Sequence, residues 1–172
     1  MRSISIILLA LCASLAASVA TAKPYKGAEI FSNDAYLYGR YEMRMRVANA
    51  SGVLSTFFTY KDGSEIGNTF WEEIDIEIFG KNNATEWQSN VILGSSRPTI
   101  QSEQHHTSAT SLADAYHTYV LEWTPDYVAW FVDGVEVRRI TGTSTVTSLT
   151  NKQSLRFNIW SSESVAWVGA WD

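Results

Sequence analysis

The sequence predicts an all-β protein built as an antiparallel β-sandwich, and three observations carry that prediction. Apolar and polar residues alternate with period 2 in short stretches, turn residues separate those stretches, and nowhere do strand and helix patterns alternate as a parallel α/β sheet requires. The alternation places strands over 38–47, 53–60, 73–78, 119–123, 127–132 and 155–160. Asp133-Gly134 lies between Trp130-Phe131-Val132 and Val135-Glu136-Val137, and this pair tolerates positive φ at both centres of a type I′ hairpin turn. With a second turn at Pro125-Asp126, residues 119–140 form a three-strand antiparallel meander. The polar stretch 94–113 reads as a loop with an edge strand, and the Thr/Ser-rich stretch 141–150 as a second loop. No helix longer than a turn or two, no internal repeat and no linker is visible in the pattern.

Composition bounds the function. The 172 residues are 45% hydrophobic, 18% charged and 13% aromatic, which suits one globular domain and excludes disordered, collagen-like and coiled-coil chains. Thirteen Lys plus Arg stand against 18 Asp plus Glu, a formal charge of −5, so nucleic acid and anionic membrane are excluded as partners. Arg2, the apolar run 4–15 and the small residues ending in Ala20-Thr21-Ala22 have the order of a secretory signal with an A-x-A cleavage site. A spanning helix needs about 20 apolar residues, and this run is shorter and breaks into Ser and Ala. Residues 1–22 are therefore expected to be removed on export, leaving residues 23–172 as one soluble, acidic, monomeric secreted domain. The single cysteine, Cys12, lies inside the signal, and Leu11 occupies the position where lipoprotein processing wants a small residue. The mature domain is thus expected to have neither disulfide nor thiol chemistry, and to depend on its core for stability.

The chemistry concentrates in 71–79, which reads Trp-Glu-Glu-Ile-Asp-Ile-Glu-Ile-Phe. Alternation puts Ile74, Ile76 and Ile78 on one face and Trp71, Glu73, Asp75 and Glu77 on the other. Three carboxylates on one side of a strand, with Cα atoms about 6.8 Å apart in sequence, repel one another and contribute nothing to folding. Glycosidic bond cleavage requires what such a row offers: one protonated carboxyl for the leaving oxygen and one ionised carboxylate to attack or to activate water. Glu73 and Glu77 can supply that pair if their side chains lean together to about 5–5.5 Å over a curved sheet, the separation of retaining enzymes. Asp75 between them makes full ionisation costly, so one group is expected to hold a proton near neutral pH. Two plainer readings compete: a row of acids on a solvated face, and a calcium site, although the loop Asp, Asn and Gly ligands such a site usually adds do not cluster nearby.

Seven Trp and eight Tyr exceed what so short a chain needs for its core, and their flat faces suit the C–H faces of sugar rings. Trp71 falls on the acidic face, and Arg156, Asn158 and Trp160 share one face of their strand. In its uninterrupted Glu-x-Asp-x-Glu form, Trp71-Glu-Glu-Ile-Asp-Ile-Glu77 resembles the signature of glycoside hydrolase family 16, and in particular its lichenases, the endo-1,3-1,4-β-glucanases. The likeness extends through 38–45, 55–60, 88–90, 116–123, 132–134 and 156–160. The resemblance implies a concanavalin-like β-jelly roll whose concave sheet holds β-glucan. It implies Glu73 as nucleophile, Glu77 as general acid/base and Asp75 as assisting carboxylate. It also implies that Glu29, Phe58, Tyr60, Trp71, Gln88, Asn90, Arg156, Asn158, Trp160 and Trp167 line the cleft. No cofactor is implied for the chemistry; a structural calcium on loop and backbone oxygens is, at residues the sequence does not identify. The order of segments resembles the circularly permuted lichenases, from which the sheet is expected to be incomplete at the C-terminus, with edges and apolar surface left bare. Laminarinase or xyloglucan activity, and a non-catalytic carbohydrate-binding module, remain as alternatives.

Smaller features carry less. His105 and His106, neighbours on a strand, are expected to point to opposite faces and not to form a metal pair. His117 is expected to be a structural hydrogen-bonding group. Asn49-Ala-Ser51 and Asn83-Ala-Thr85 fit the glycosylation sequon, which matters only in a eukaryotic secretory host.

Overall fold

A computed structural model describes residues 25–171, so the signal segment expected over 1–22 lies outside the described residues. Eleven strands form two antiparallel sheets. They are β1 (Ala28–Tyr36), β2 (Gly39–Met45), β3 (Val53–Tyr60), β4 (Trp71–Phe79), β5 (Glu86–Gly94), β6 (Ile100–Gln101), β7 (Gln104–Thr107), β8 (His117–Trp123), β9 (Tyr127–Val132), β10 (Val135–Thr141) and β11 (Gln153–Ser161). The larger sheet runs β1-β11-β3-β4-β5-β6 with β7 also on β5, and the smaller runs β10-β9-β8-β2. This is a sandwich of the jelly-roll kind.

The core lies where the smaller sheet covers β3, β4 and β5. Ile74, Ile76 and Ile78 point into it beside Phe57, Val91 and Leu93, and face Tyr119, Leu121, Trp123, Val128 and Trp130 from the other sheet. Each fully buried large apolar side chain contributes about 1.5–3 kcal/mol, so this face of β4 fixes which way its acids must point. The meander β8-β9-β10 forms as expected, and both Asp133 (φ 49°) and Gly134 (φ 80°) adopt positive φ at its hairpin turn.

Two strands escaped the sequence reading. β5 carries Trp87, Ser89, Val91 and Leu93 toward the core, and both Ser89 and the outward Ile92 interrupt its alternation. β1 pairs with β11 alone and has a register irregularity between Phe31 and Ala35. No second sheet covers it, so no apolar face was needed to mark it. The stretch 94–113 holds two short strands where one was expected, and 141–150 includes one helical turn, α1 (Ser144–Thr147). β1 and β11 extend past the edge of the smaller sheet, leaving Ile30 60% and Ile159 45% exposed.

Gly80 closes β4 against the 50–53 turn. A Cβ there would meet the Ala50 carbonyl oxygen at 2.2 Å and its nitrogen at 2.9 Å, and both are backbone atoms that cannot step aside. Gly80→Ala is expected to destabilise the fold by about 2–3 kcal/mol, read as a lower midpoint in urea unfolding. An unchanged midpoint would show that the 50–53 backbone yields freely.

Candidate active site

The open face of the larger sheet carries the residues that its core face does not need. On β4 these are Trp71, Glu73, Asp75 and Glu77; cross-strand register sets Asp75 beside Asn90 and Glu77 beside Gln88 on β5, and Asp75 beside Phe58 and Glu73 beside Tyr60 on β3. A cavity of about 460 Å³ opens on this face. Glu73 and Glu77 both line it, with Trp71, Gln88, Asn90, Trp160 and Trp167 of the expected cleft residues. The seven tryptophans divide cleanly: Trp87, Trp123 and Trp130 are core, Trp71, Trp160 and Trp167 line the cavity, and Trp171 stacks on Tyr25 at 3.9 Å.

Each acid is held differently. Trp71 Nε1 donates to Glu73 Oε2 at 2.8 Å, and Gln88 Nε2 donates to Glu77 Oε2 at 2.6 Å. Trp167, on the short helix α2 (Val165–Val168), donates its Nε1 to Gln88 Oε1 at 3.2 Å, so Gln88 is fixed from both sides. Trp160 Nε1 donates to Thr56 Oγ1 at 2.9 Å, orienting the indole. Asp75 lies beneath the cavity, 1% exposed, and its Oδ1 is buried without a hydrogen-bond partner.

Burial dominates the electrostatics. It pushes Glu73 up to about 8, against the Trp71 indole N–H, which favours the ionised form, and with repulsion from Glu77. It pushes Glu77 up to about 7, opposed by the Gln88 amide and reinforced by Glu103. Asp75 is raised by burial first and by its two neighbours second. A proton held near neutral pH was expected from repulsion within the row; the structure makes desolvation the larger cause. The three groups titrate as one cluster. Asp75 Oδ1 has no donor whereas each glutamate has one, so the state with all three acids ionised is the costly one.

Five expected cleft residues stand outside this cavity. Glu29, Arg156 and Asn158 bind one another: Arg156 Nη1 meets Glu29 Oε1 at 2.8 Å and Asn158 Nδ2 donates to Glu29 Oε2 at 3.1 Å. Arg156 also reaches Asp62 at 2.7 Å and lies 4.6 Å over the Tyr60 ring. Phe58 and Tyr60 are buried among these groups, the Tyr60 hydroxyl donating to Glu65 at 2.6 Å. They extend the same sheet face across β3, β11 and β1 but are committed to one another. Three cavity residues were not foreseen. Ile92 follows from the register of Gln88 and Asn90, whereas Gln101 and Glu103 come from the segment read as a loop with an edge strand, where no period pointed to them.

His105 and His106 point to opposite faces of their strand, and His117 makes a hydrogen-bonding contact, as expected. His105 stacks on Phe79 and His106 on Trp87, on opposite sides of β7, and His117 Nδ1 lies 2.6 Å from Asp133 Oδ2. The two sequon residues meet, Asn49 Nδ2 donating to Asn83 Oδ1 at 2.7 Å. Among the described residues no three His, Cys, Asp or Glu side chains converge as metal ligands, so none is assigned to a calcium site.

An antiparallel jelly-roll sandwich with a carboxylate row and three indoles opening on one sheet is the class that fold and cavity define. The chain belongs to the glycosyl hydrolases family 16, whose pattern matches residues 12–170. It is 48% identical over 164 residues to a β-glucanase of Fibrobacter succinogenes and 36% identical over 153 residues to one of Acetivibrio thermocellus. These matches cover 93% and 87% of the chain but 46% and 42% of the relatives, so the chain spans less than half their length. A prokaryotic β-1,3-1,4-glucanase (lichenase) from a mouse hindgut metagenome superposes with a TM-score of 0.74 at 34% identity, over 90% of this chain and 68% of that one.

Proposed function

We propose that this domain is the catalytic part of a secreted endo-β-glucanase that hydrolyses mixed-linkage 1,3-1,4-β-glucan with retention of configuration. One observation carries the reading: Glu73 and Glu77, four residues apart on β4, line the same cavity between indoles suited to sugar faces. The β-glucanase names of the relatives at 48% and 36% identity support it. Secretion rests on the signal pattern of residues 1–22; among the described residues no helix is long and apolar enough to cross a membrane.

In the proposed mechanism a glucan chain lies along the trough against Trp71, Trp160 and Trp167. Glu77 gives its proton to the departing glycosidic oxygen while a carboxylate oxygen of Glu73 bonds to the anomeric carbon, forming a glycosyl-enzyme. Glu77, now ionised, takes a proton from water, whose oxygen displaces Glu73 and restores the configuration. Asp75 keeps the row from carrying three charges at once, and the Trp71 and Gln88 donors hold the two glutamates in place.

Activity is expected to follow a bell-shaped pH profile. The acid limb reports ionisation of Glu73 and the basic limb loss of the Glu77 proton. Burial raises both groups, and as interacting acids they titrate with two apparent values that belong to the pair, so the bell sits above the range of ordinary carboxylates. Reducing-sugar release from lichenan, laminarin, carboxymethylcellulose and xyloglucan, each followed across pH, tests bond and roles together. Preference for laminarin or xyloglucan would replace the linkage, and a profile flat through the carboxyl range would remove the acid/base roles. Binding without release would leave a carbohydrate-binding module.

A further inference from the structure

We propose that Arg97 is a positioning residue for the nucleophile: its guanidinium, forked between two loops and laid over the Trp71 ring, fixes the indole at the angle from which its N–H donates to Glu73. The kinetic consequence rests on the hydrolase reading above; the fixed indole does not.

Trp71 has two tasks at once. Its N–H holds Glu73 Oε2 at 2.8 Å, and its ring lines the trough with Trp160 and Trp167. The side chain turns about two bonds, so a ring that turns takes the donor away from the carboxylate with it. Its strand neighbours do little to prevent this. Trp71 opens β4, and the residue across from it on β5 is Gly94, which has no side chain to pack. From β3, Tyr60 meets it at a right angle, with ring centroids 5.6 Å apart and planes at 85°. Neither lies flat on the indole.

Arg97 supplies that support from outside both strands. Its Cζ lies over the Trp71 ring, 5.2 Å from the centroid and within the reach of a cation–π attraction. The guanidinium is itself pinned on two sides. Its Nη1 donates to the Gly94 and Ser96 carbonyls, each at 3.1 Å, and its Nη2 to the Ser64 carbonyl at 2.7 Å and the Thr69 carbonyl at 3.3 Å. The first pair belongs to the turn out of β5 and the second to the connection between β3 and β4, so one side chain ties together the two loops that flank Trp71. A planar fork can do this, and a single ammonium cannot.

The anchors are firm. Ser64 is fully buried; its Oγ donates to the Lys61 carbonyl at 2.7 Å and accepts the N–H of Glu72, the residue next to Trp71, at 3.3 Å. Through Ser64 the fork is fastened to the backbone of β4, and through Gly94 to the residue facing Trp71. Among the described residues no carboxylate lies within 4.0 Å of Arg97, so no acid draws the guanidinium off the ring. Arg156, the other cation on this side of the sheet, is bound to Glu29 and Asp62 and lies over Tyr60 and Phe31, so it cannot take the place of Arg97.

The test is a double-mutant cycle between Arg97→Met and Trp71→Phe. Methionine keeps an unbranched stem and removes the charge and the fork; phenylalanine keeps a ring and removes the N–H. In the parent, R97M is expected to lower kcat on β-glucan by about five- to tenfold. In the Trp71→Phe background the same change is expected to lower it by less than about twofold, because the bond it disturbs is already gone. Equal losses in both backgrounds would mean that Arg97 only holds loops together, and would overturn the proposal. The indole proton reads the geometry without turnover. The indole 1H–15N cross-peak that vanishes in Trp71→Phe belongs to Trp71, and its exchange with solvent is expected to quicken at least about tenfold in R97M. An unchanged rate sinks the proposal. Should R97M fail to fold, R97K enters the same cycle, non-additivity with Trp71→Phe supporting the assignment and additivity refuting it. If the parent releases no sugar from any glucan, the hydrolase reading fails by itself. In that case, or if Trp71→Phe leaves no measurable turnover, the exchange rate alone decides whether Arg97 fixes the indole.

Discussion

Glu73→Gln is expected to lower the hydrolysis of β-glucan by about 10⁴-fold or more while leaving oligosaccharide affinity within about threefold. The substitution keeps the shape of the side chain and an oxygen for the Trp71 indole N–H, which bonds Glu73 at 2.8 Å. What it removes is the negative oxygen that must bond to the anomeric carbon. The same variant carries a stability signature. With burial raising Glu73 to about 8, the folded chain retains a proton that the unfolded chain has already released at higher pH. That contribution is full below the unfolded value and is lost as pH rises through the window up to about 8. A glutamine is neutral throughout and escapes the loss. The Tm of Glu73→Gln relative to the parent is therefore expected to climb between about pH 5 and about pH 8, by about 10 °C or more. Reducing-sugar assays and thermal scans check the two halves separately. Unchanged sugar release ends the nucleophile assignment, and a Tm difference constant with pH ends the claim that Glu73 is protonated in the folded chain.

Its neighbour is expected to do the opposite. Glu72 is fully buried on the core side of β4, where its Oε2 accepts the backbone N–H of Thr150 at 2.9 Å and of Asn151 at 3.0 Å, and its Oε1 the Asn151 side-chain amide at 2.5 Å. Glu72→Ala strands two backbone donors and opens space beneath the turn that leads into β11, the strand carrying Arg156, Asn158 and Trp160. A loss of about 3 kcal/mol follows, near 10 °C in Tm for a domain of this size. Well below its lowered midpoint, the variant is expected to keep kcat within a few-fold of the parent. Thermal unfolding and a low-temperature assay read both. A Tm within about 2 °C of the parent would show that water replaces the carboxylate without loss.

These adjacent glutamates mark how far the sequence could be read. Alternation alone put Glu73, Asp75 and Glu77 together and Ile74, Ile76 and Ile78 opposite, and the cavity and core confirm both faces. Glu72 went unassigned in that reading; the structure puts it on the isoleucine side, and nothing local named the partners that make such burial tolerable, since Thr150 and Asn151 lie almost eighty residues away. β3, β8, β9 and the hairpin turn were legible because one face of each strand packs on the opposite sheet, or because an Asp-Gly pair sets the turn. β1 and β5 were not: the first has no covering sheet, and the second puts Ser89 in the core and Ile92 in the trough.

The period of 71–79 by itself determined that three acids share a surface, because a strand's side chains alternate whatever surrounds them. The tertiary structure decided how those acids behave. The Trp71 donor lies in the same strand, but the Gln88 donor, the indoles of Trp160 and Trp167 that close over the trough, and the ion pairs that occupy Arg156 all come from other segments of the chain. Proton affinity is a property of a group's surroundings, and those exist only after the two sheets have closed on each other.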